Sequence, residues 1–349
     1  MGSIGVIGWF EDIGLRDRAE VGGKGGSLGE LTRAGIPVPP GFVVRTQAFE
    51  QFIASLEREA PVRARVEGLP PDDLDAIRAS AAELRARVRA APLPGELAAQ
   101  LTTAHEALRG RAGHADVAVR SSATTEDASD ASFAGLQDTY LWVGDSQHML
   151  ERLRDCWASL YSVESISYRR HRGIAERDVA MAVVVQSMVD SRAAGVMFTR
   201  SPTTGDRSVV TIEGAWGLGS AVVGGEVTPD RWVLGKITGE ISVREVSDKH
   251  IEHLRAPEGG VESAEVDDTR RRVPCLADAQ LEQLRQVARQ VERHYGCAQD
   301  IEWAIDARGN LMLLQSRPET VWSAKEATPA ARAAPDPLSH VMSIFGGRR

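Results

Sequence analysis

Cysteine is scarce in this 349-residue chain, and long apolar runs are missing altogether. The three cysteines, Cys156, Cys275 and Cys297, form no CxxC pair and match no metal-ligand spacing. This excludes a disulfide scaffold or a cysteine-ligated zinc as the organising feature, and reduced thiols are expected. No stretch approaches the roughly 18 apolar residues that span a bilayer, and no basic and apolar leader opens the chain. We therefore expect a cytoplasmic protein without membrane association.

The chain also lacks an excess of positive charge. Its net charge is −8, which argues against a general nucleic-acid binder. A hydrophobic fraction of 42% and a charged fraction of 26% are typical of a globular protein with a substantial core. Histidine and cysteine do not cluster, and His250 and His253, three apart, are expected at the surface. The length allows one large domain or two to three lobes.

Near the end of the chain, two alternating runs, QDIEWAID and LMLLQSRP, flank the turn-forming segment ARGN. This pattern predicts a β-hairpin. If the loop is centred on the Arg-Gly pair, Glu302 falls opposite Gln315 and Asp300 falls opposite Arg317, all on one face. Carboxylate and amide oxygens suit Mg²⁺, and a guanidinium suits phosphate. The alternative is a solvated polar face without a ligand.

Two upstream segments have features of phosphate-binding loops. Residues 21–31, VGGKGGSLGEL, place Lys24 among glycines at the start of a helical pattern, although a flexible turn explains them as well. They are not a Walker A loop. Residues 117–127, VAVRSSATTED, deliver Arg120 from a short strand into a run of hydroxyls, and a glycine-containing segment follows. This favours a phosphate clamp, with a polar loop that caps a helix near 125–130 as the alternative.

Two further segments suggest contacts with a ligand. Gln186 interrupts the apolar run 178–190, which predicts a buried strand, so its amide needs a hydrogen-bond partner. An adenine edge or the neighbouring backbone would serve. Residues 213–230, EGAWGLGSAVVGGEVTPD, hold five glycines, which favours a loop over a ligand rather than a Rossmann motif. Exposed strands are expected over 231–247, and helices over roughly 46–60, 72–90, 95–110, 146–172 and 278–295.

Four motifs in this order resemble one known domain: GGKGGSLGEL, VAVRSSATTEDASDASFAG, EGAWGLGSAVVGGEVTPD and DIEWAIDARGNLMLLQSRPET. They resemble the N-terminal nucleotide-binding domain of the phosphoenolpyruvate synthase and pyruvate phosphate dikinase family, which rifampicin phosphotransferase and phenylphosphate synthase share. The resemblance runs from about residue 21 to 320. It implies an α+β ATP-grasp fold with ATP and Mg²⁺ between two lobes. The expected domains are a lobe at 1–192 with a helical insert at about 46–111, a second lobe at 193–323 and a linker-like tail at 324–349.

The resemblance also implies roles for single residues around the phosphates. Lys24 and Arg120 are expected to contact phosphates, and Gly135 and Thr139 belong to the flap above them. Arg317 is expected to bind the phosphoryl group that is transferred. Lys24, Arg120 and Arg317 are therefore the expected catalytic residues, because their charges offset the charge that develops on that group.

Metal and base contacts follow from the same resemblance. Glu302 and Gln315 are expected to hold Mg²⁺, and Gln186 lies near the adenine side of the ATP. Position 220 departs from the family, which commonly has an acid after GLG where this chain has Ser220. The departure puts the metal or ribose contact of that loop in question, and not the nucleotide site.

Enzymes of this family pass a phosphoryl group from ATP to a histidine on a separate domain. The Gly-Gly-rich histidine segment that marks that domain does not occur in this sequence. The resemblance therefore implies an ATP-binding subunit, like that of phenylphosphate synthase, which needs a partner subunit carrying the phosphohistidine and binding a small acceptor such as phenol or pyruvate. ATP would give its β-phosphoryl group, leaving AMP and phosphate. The alternatives are a non-catalytic nucleotide sensor and an ATP-dependent ligase that acts alone.

Overall fold

A computed structural model describes residues 5–124, 138–319 and 322 of the chain, and the elements named below belong to these residues. The helices are α1 (Arg18–Arg33), α2 (Thr46–Glu57), α3 (Arg63–Glu67), α4 (Leu74–Ala90), α5 (Gly95–Ala112), α6 (Ser146–Ser159), α7 (Val163–Arg172), α8 (Ser220–Val223) and α9 (Asp278–Tyr295). The strands are β1 (Ile7–Trp9), β2 (Gly41–Val44), β3 (Val117–Ala123), β4 (Thr139–Val143), β5 (Met181–Ser187), β6 (Ser191–Phe198), β7 (Val209–Trp216), β8 (Asp230–Gly235), β9 (Ile241–Glu245), β10 (Ile251–Arg255), β11 (Val261–Glu265), β12 (Gln299–Asp306) and β13 (Leu311–Pro318).

The first sheet has the strand order β1-β2-β5-β3-β4, and every neighbouring pair is antiparallel. One face carries Val119 and Val183, and it packs on the helical layer through residues such as Phe52 and Trp157. The opposite face carries Val184 and packs on α1. Because both faces are covered, β3 and β5 are buried along their whole length, which explains their nearly continuous apolar sequences.

The second sheet has the order β13-β12-β6-β7-β8-β9 and is also antiparallel throughout. Its core face carries Ile301, Trp303 and Trp232, which pack against the apolar side of α9. Since side chains alternate along a strand, Asp300 and Glu302 lie on the other face of β12. That face is the one that meets the first sheet at the site described below.

Most of the predicted elements are present. The α+β class is confirmed, and the helix predicted over 278–295 has those bounds. The helix predicted over 146–172 is two helices, α6 and α7, separated by residues 160–162. The strands and the alternation predicted over 231–247 are present, but the predicted exposure is wrong for β8, because every second side chain is buried and Trp232 is fully so. The β10–β11 hairpin was not predicted.

The division into two lobes at residues 192 and 193 stays a prediction, as does the tail at 324–349, which lies outside the described residues. Within the described part of the chain, no helix is both long enough and apolar enough to cross a membrane.

A buried ion pair fixes the start of β8. Lys249 and Asp230 are fully buried, and Lys249 Nζ donates to Asp230 Oδ1 at 2.6 Å. Backbone amides of Ser247 and Cys275 donate to the two carboxylate oxygens of Asp230 at 2.9 and 2.8 Å. Asp230 ends the third glycine-containing motif, and its saturated contacts show that it has a structural role there.

We expect Lys249→Met to lower the free energy of unfolding by about 3–5 kcal/mol, because it leaves the Asp230 carboxylate buried without its charge partner. The matched control is Arg244→Met, which breaks the exposed pair of Arg244 with Asp278 and should cost less than about 1 kcal/mol. Urea unfolding followed by circular dichroism measures both values. Equal losses in the two variants would contradict the structural role of the buried pair.

Candidate nucleotide site

The β12–β13 hairpin has the predicted pairing. Glu302 lies opposite Gln315, and Asp300 lies opposite Arg317. A β-bulge sits between these pairs and the tip, because Trp303 lies opposite Leu313 and leaves Leu314 as the extra residue. The bulge removes Leu314 from regular pairing, so the Leu314 carbonyl can accept a hydrogen bond from the first sheet. The sequence pattern predicted the facing residues but not the bulge.

Arg120 connects the two sheets. It projects from β3, and its Nη2 donates to Gln315 Oε1 at 2.7 Å and to Glu302 Oε2 at 3.0 Å. Its Nη1 donates to the carbonyl of Leu314, the bulged residue, at 2.9 Å. Arg120 and Gln315 are each only 8% exposed, so the contact between them lies out of bulk water, whereas the Glu302 side chain is 30% exposed and its contact with Arg120 is partly shielded. Three of the predicted site residues are therefore in direct contact.

Arg317 lies two residues beyond Gln315, on the same face and at the exposed end of β13. Its Nε and Nη2 contact Asp300 Oδ2 at 2.8 and 2.7 Å. Burial raises the pKa of the Asp300 carboxyl above its ordinary value, and the charge of Arg317 opposes that rise. The side chain of Arg317 is 60% exposed, so the guanidinium that was predicted to bind the transferred phosphate is held by Asp300 at the rim of the site.

The glycine-rich segment at residues 21–31 packs on β3 beside Arg120. Within α1, Gly22 leaves helical geometry with φ of +71°, and the helix then continues through Lys24. Ser122 Oγ donates to the carbonyl of Val21 at 2.9 Å and accepts from the amide of Gly25 at 3.1 Å. A Cβ at Gly22 would lie 2.2 Å from the Ser122 carbonyl oxygen, so only glycine permits this approach.

Lys24 is held inside the fold rather than at its surface, with 6% exposure. Burial raises the pKa of the Cys156 thiol well above its ordinary value, and the charge of Lys24 opposes that shift. Cys156 lies on α6, next to the carbonyl of Asp138. Lys24 is thus near the start of β4, where the predicted site residue Thr139 lies.

Thr139 and Gln186 share a face of the first sheet with Arg120. Thr139 pairs directly with Arg120, and Gln186 pairs with Ala118, two residues before Arg120. Paired residues point to the same side, so Gln186 is a diagonal neighbour of Arg120, with backbones about 7–8 Å apart. Gln186 is 2% exposed, and its Nε2 has no hydrogen-bond partner among the described residues. A buried amide without a partner costs stability, and a ligand edge would satisfy it.

An apolar patch lies beside Gln186. Ala118, the residue opposite Gln186, packs with Trp142, Met188 and Leu218, and each of the four retains 6–8% exposure. A cavity of about 980 Å³ opens next to this patch, between β4 and the β10–β11 hairpin, and Trp142 lines it together with polar side chains such as Arg152 and Arg255. The four apolar residues of the patch itself would suit the face of a flat heteroaromatic base.

The prediction that His253 lies at the surface is wrong, because it is 8% exposed. Its Nδ1 is 2.8 Å from Ser220 Oγ, and its Nε2 is 3.3 Å from Glu226 Oε2. His250, by contrast, is exposed, as predicted. Ser220, where the family commonly has an acid, therefore contacts a histidine of β10. Sequence reasoning missed this cluster because its members are up to 33 residues apart and because His253 lies on a strand that was not predicted.

Two of the glycines that were read as a loop over a ligand have packing roles. A Cβ at Gly214 would lie 2.7 Å from the ring of Trp303. Gly217 has φ of +73° and packs against β10, since a Cβ there would lie 2.5 Å from the His253 carbonyl oxygen. The density of glycine in this segment reflects close packing of strands as well as any ligand contact.

The described residues contain no cluster of three or more histidine, cysteine or acidic side chains that would cage a metal ion. Magnesium does not require one, because it commonly binds through one or two protein oxygens together with substrate phosphates and water. The convergence of Glu302 Oε2 and Gln315 Oε1 on one point fits that donor chemistry. Gly135 lies outside the described residues, and its predicted place in a flap stays a prediction.

The chain is similar to known proteins along most of its length. Residues 18–336 match the family described as pyruvate phosphate dikinase, AMP/ATP-binding domain. A probable phosphoenolpyruvate synthase of Methanothermobacter thermautotrophicus is 41% identical over 316 residues, which cover 90% of this chain and 46% of that protein. A rifampicin phosphotransferase of a Streptomyces species is 42% identical over 312 residues, which cover 89% of this chain and 35% of that protein. The chain thus spans less than half the length of these relatives.

We expect Gly22→Ala to weaken ATP binding at least tenfold, on the order expected when a loop beside the phosphates is displaced. The matched control is Gly35→Ala. Gly35 also has positive φ, +70°, but a Cβ there meets nothing within 4 Å, so it should cost only about 1 kcal/mol of stability. Isothermal titration with ATP and a thermal melt separate the two effects. Equal ATP affinity in both variants would show that the contact of Gly22 with Ser122 does not support the site.

Proposed function

Since the chain belongs to the pyruvate phosphate dikinase AMP/ATP-binding domain family, we propose that it binds MgATP between two ATP-grasp lobes and starts a phosphoryl transfer. The observation that carries this proposal is the contact of Arg120 with Glu302 and Gln315. It brings a guanidinium, a carboxylate and an amide to one point between the two sheets. This set suits a metal-bound polyphosphate better than any other common ligand.

The phosphates lie, in this proposal, along the face that carries Lys24, Arg120 and Thr139. The two cations offset the charge of the phosphates, and their burial makes each contact stronger than it would be in water. Arg317, which Asp300 orients at the rim, binds the phosphoryl group that is transferred. Catalysis of this kind depends on position and charge rather than on covalent chemistry by the protein.

Glu302 and Gln315 would hold Mg²⁺, which would supply charge neutralisation across the phosphate oxygens when bound. On the other side of Arg120, the unpaired amide of Gln186 binds the adenine edge. The patch of Ala118, Trp142, Met188 and Leu218 covers the face of the base.

The acceptor of the phosphoryl group is, in our proposal, a histidine on a separate partner subunit. ATP, water and this histidine give phosphohistidine, AMP and inorganic phosphate. The β-phosphoryl group of ATP is the one that the histidine receives. The partner, which binds a small molecule such as phenol or pyruvate, completes the transfer in the cytoplasm. Relatives named phosphoenolpyruvate synthase and rifampicin phosphotransferase support phosphoryl transfer to a small molecule as the class of reaction.

We expect Gln186→Leu to weaken ATP binding about tenfold and to narrow the preference for ATP over GTP, without loss of stability, because it removes an amide that has no partner. The matched control is Gln299→Leu. Gln299 is also fully buried, but its Oε1 accepts from Ser316 Oγ at 2.8 Å, so its loss should cost about 1–3 kcal/mol. Titration calorimetry and urea unfolding measure the two quantities. Unchanged affinity and base preference in Gln186→Leu would remove Gln186 from the base site.

The proposed reaction is tested with ATP labelled at either the β- or the γ-phosphorus. The protein is mixed with Mg²⁺ and a candidate partner protein that carries the phosphohistidine segment. We expect β-label, and not γ-label, on the partner, with AMP as the nucleotide product. Glu302→Gln should slow labelling by about 10²–10³-fold. ADP as the nucleotide product would contradict the transfer, and tight ATP binding without any label on the partner would identify a nucleotide sensor instead.

A further inference from the structure

The Arg120 guanidinium stands at the point on which the metal-binding oxygens of the proposed site converge. One nitrogen, Nη2, donates to Gln315 Oε1 at 2.7 Å and to Glu302 Oε2 at 3.0 Å. These oxygens come from two different strands, so a single positive group holds both in place. A divalent cation that used the same oxygens would meet the guanidinium charge at about 3–4 Å, where two positive charges repel each other even though the Glu302 side chain is 30% exposed.

We propose that Arg120 is an internal competitor of the metal ion. It orders Glu302 and Gln315 before the nucleotide arrives, and it must release them before a metal binds there. This inference rests on the proposed function, because it takes Glu302 and Gln315 as the metal-binding residues.

The nucleotide supplies the reason for the release. Phosphate oxygens accept paired hydrogen bonds from a guanidinium, and such contacts are stronger than those to a neutral amide. Arg120 still has a donor to give, because its Nε is buried without a partner among the described residues. The Nη1 contact with Leu314 keeps the side chain beside the hairpin while Nη2 changes partners. Metal ion and nucleotide therefore bind together, and the metal ion alone binds weakly.

The test measures the affinity for Mn²⁺ in the absence of nucleotide, with electron paramagnetic resonance reporting the concentration of the free ion. We expect the full chain to bind Mn²⁺ weakly and Arg120→Met to bind it at least about tenfold more tightly, since the competing charge is gone. Adding Glu302→Gln to Arg120→Met should abolish the gain. The matched control is Arg63→Met, which frees both oxygens of Glu50 but no second convergent residue, and it should leave Mn²⁺ binding unchanged.

Arg120→Gln is the second variant, because a glutamine keeps a hydrogen-bond donor in the fold while it removes the charge, and it should show the same gain. Folded Arg120→Gln or Arg120→Met protein that binds Mn²⁺ no more tightly than the unaltered chain overturns the competition. A different result would contradict the proposed function. In that case the Glu302→Gln variant would bind Mn²⁺ in the presence of ATP as tightly as the unaltered chain does.

Discussion

The contact between Arg120 and the β12–β13 hairpin is the interaction on which both the site and the placement of the two sheets depend. A guanidinium that leaves water must find charge and acceptors, and otherwise it costs several kcal/mol. Among the described residues, Arg120 finds them on the second sheet, in Glu302, Gln315 and the carbonyl of Leu314. The hairpin must therefore approach β3 at this one position. The residues that would bind a ligand are also the residues that join the sheets.

A second contact secures the same hairpin from the other side. Ser27, within the glycine-rich part of α1, donates to the carbonyl of Ser316 at 2.6 Å. Ser122 holds the start of that helix against β3. The glycine-rich segment, β3 and β13 thus form a closed set of contacts around the place proposed for the phosphates. Such closure keeps charged groups in position without help from the ligand, which is the condition for electrostatic stabilisation.

How far the sequence predicts this arrangement is clearest in the hairpin. Alternation with period two predicted that Asp300 and Glu302 share a face and which residues lie opposite them, because strand geometry alone decides that. It did not predict the bulge at Leu314, since a bulge depends on packing. The carbonyl of Leu314 that Arg120 uses is set free by this register shift, which the local alternation of the sequence does not reveal.

The β10–β11 hairpin marks the limit of the same reasoning. Its strands have few apolar residues, and both lie partly in solvent, so no alternation reveals them. His253 is buried because the segment that contains Leu218 folds back onto β10, where the backbone amide of Leu218 donates to the His253 carbonyl. A contact between residues so distant in the chain leaves no periodic signal. The first three motifs and the final hairpin were predictable because each has its own local pattern, and this hairpin has none.

Hydrogen-bond saturation separates structural polar residues from those that face a ligand, provided that position is considered as well. Asp230 lies at the end of the motif EGAWGLGSAVVGGEVTPD, yet both of its oxygens have partners within the fold, and it leaves nothing for a ligand. Gln186 and Arg120 each keep a buried donor without a partner in the described chain. Trp232 has an unpaired donor too, but it lies in the core of the second sheet, where no ligand reaches. Gln186 and Arg120 combine such a donor with the face of the first sheet that meets the hairpin, and Trp142, in the patch beside Gln186, has an unpaired donor as well. That combination supports the proposed contacts of Gln186 and Arg120 with a nucleotide.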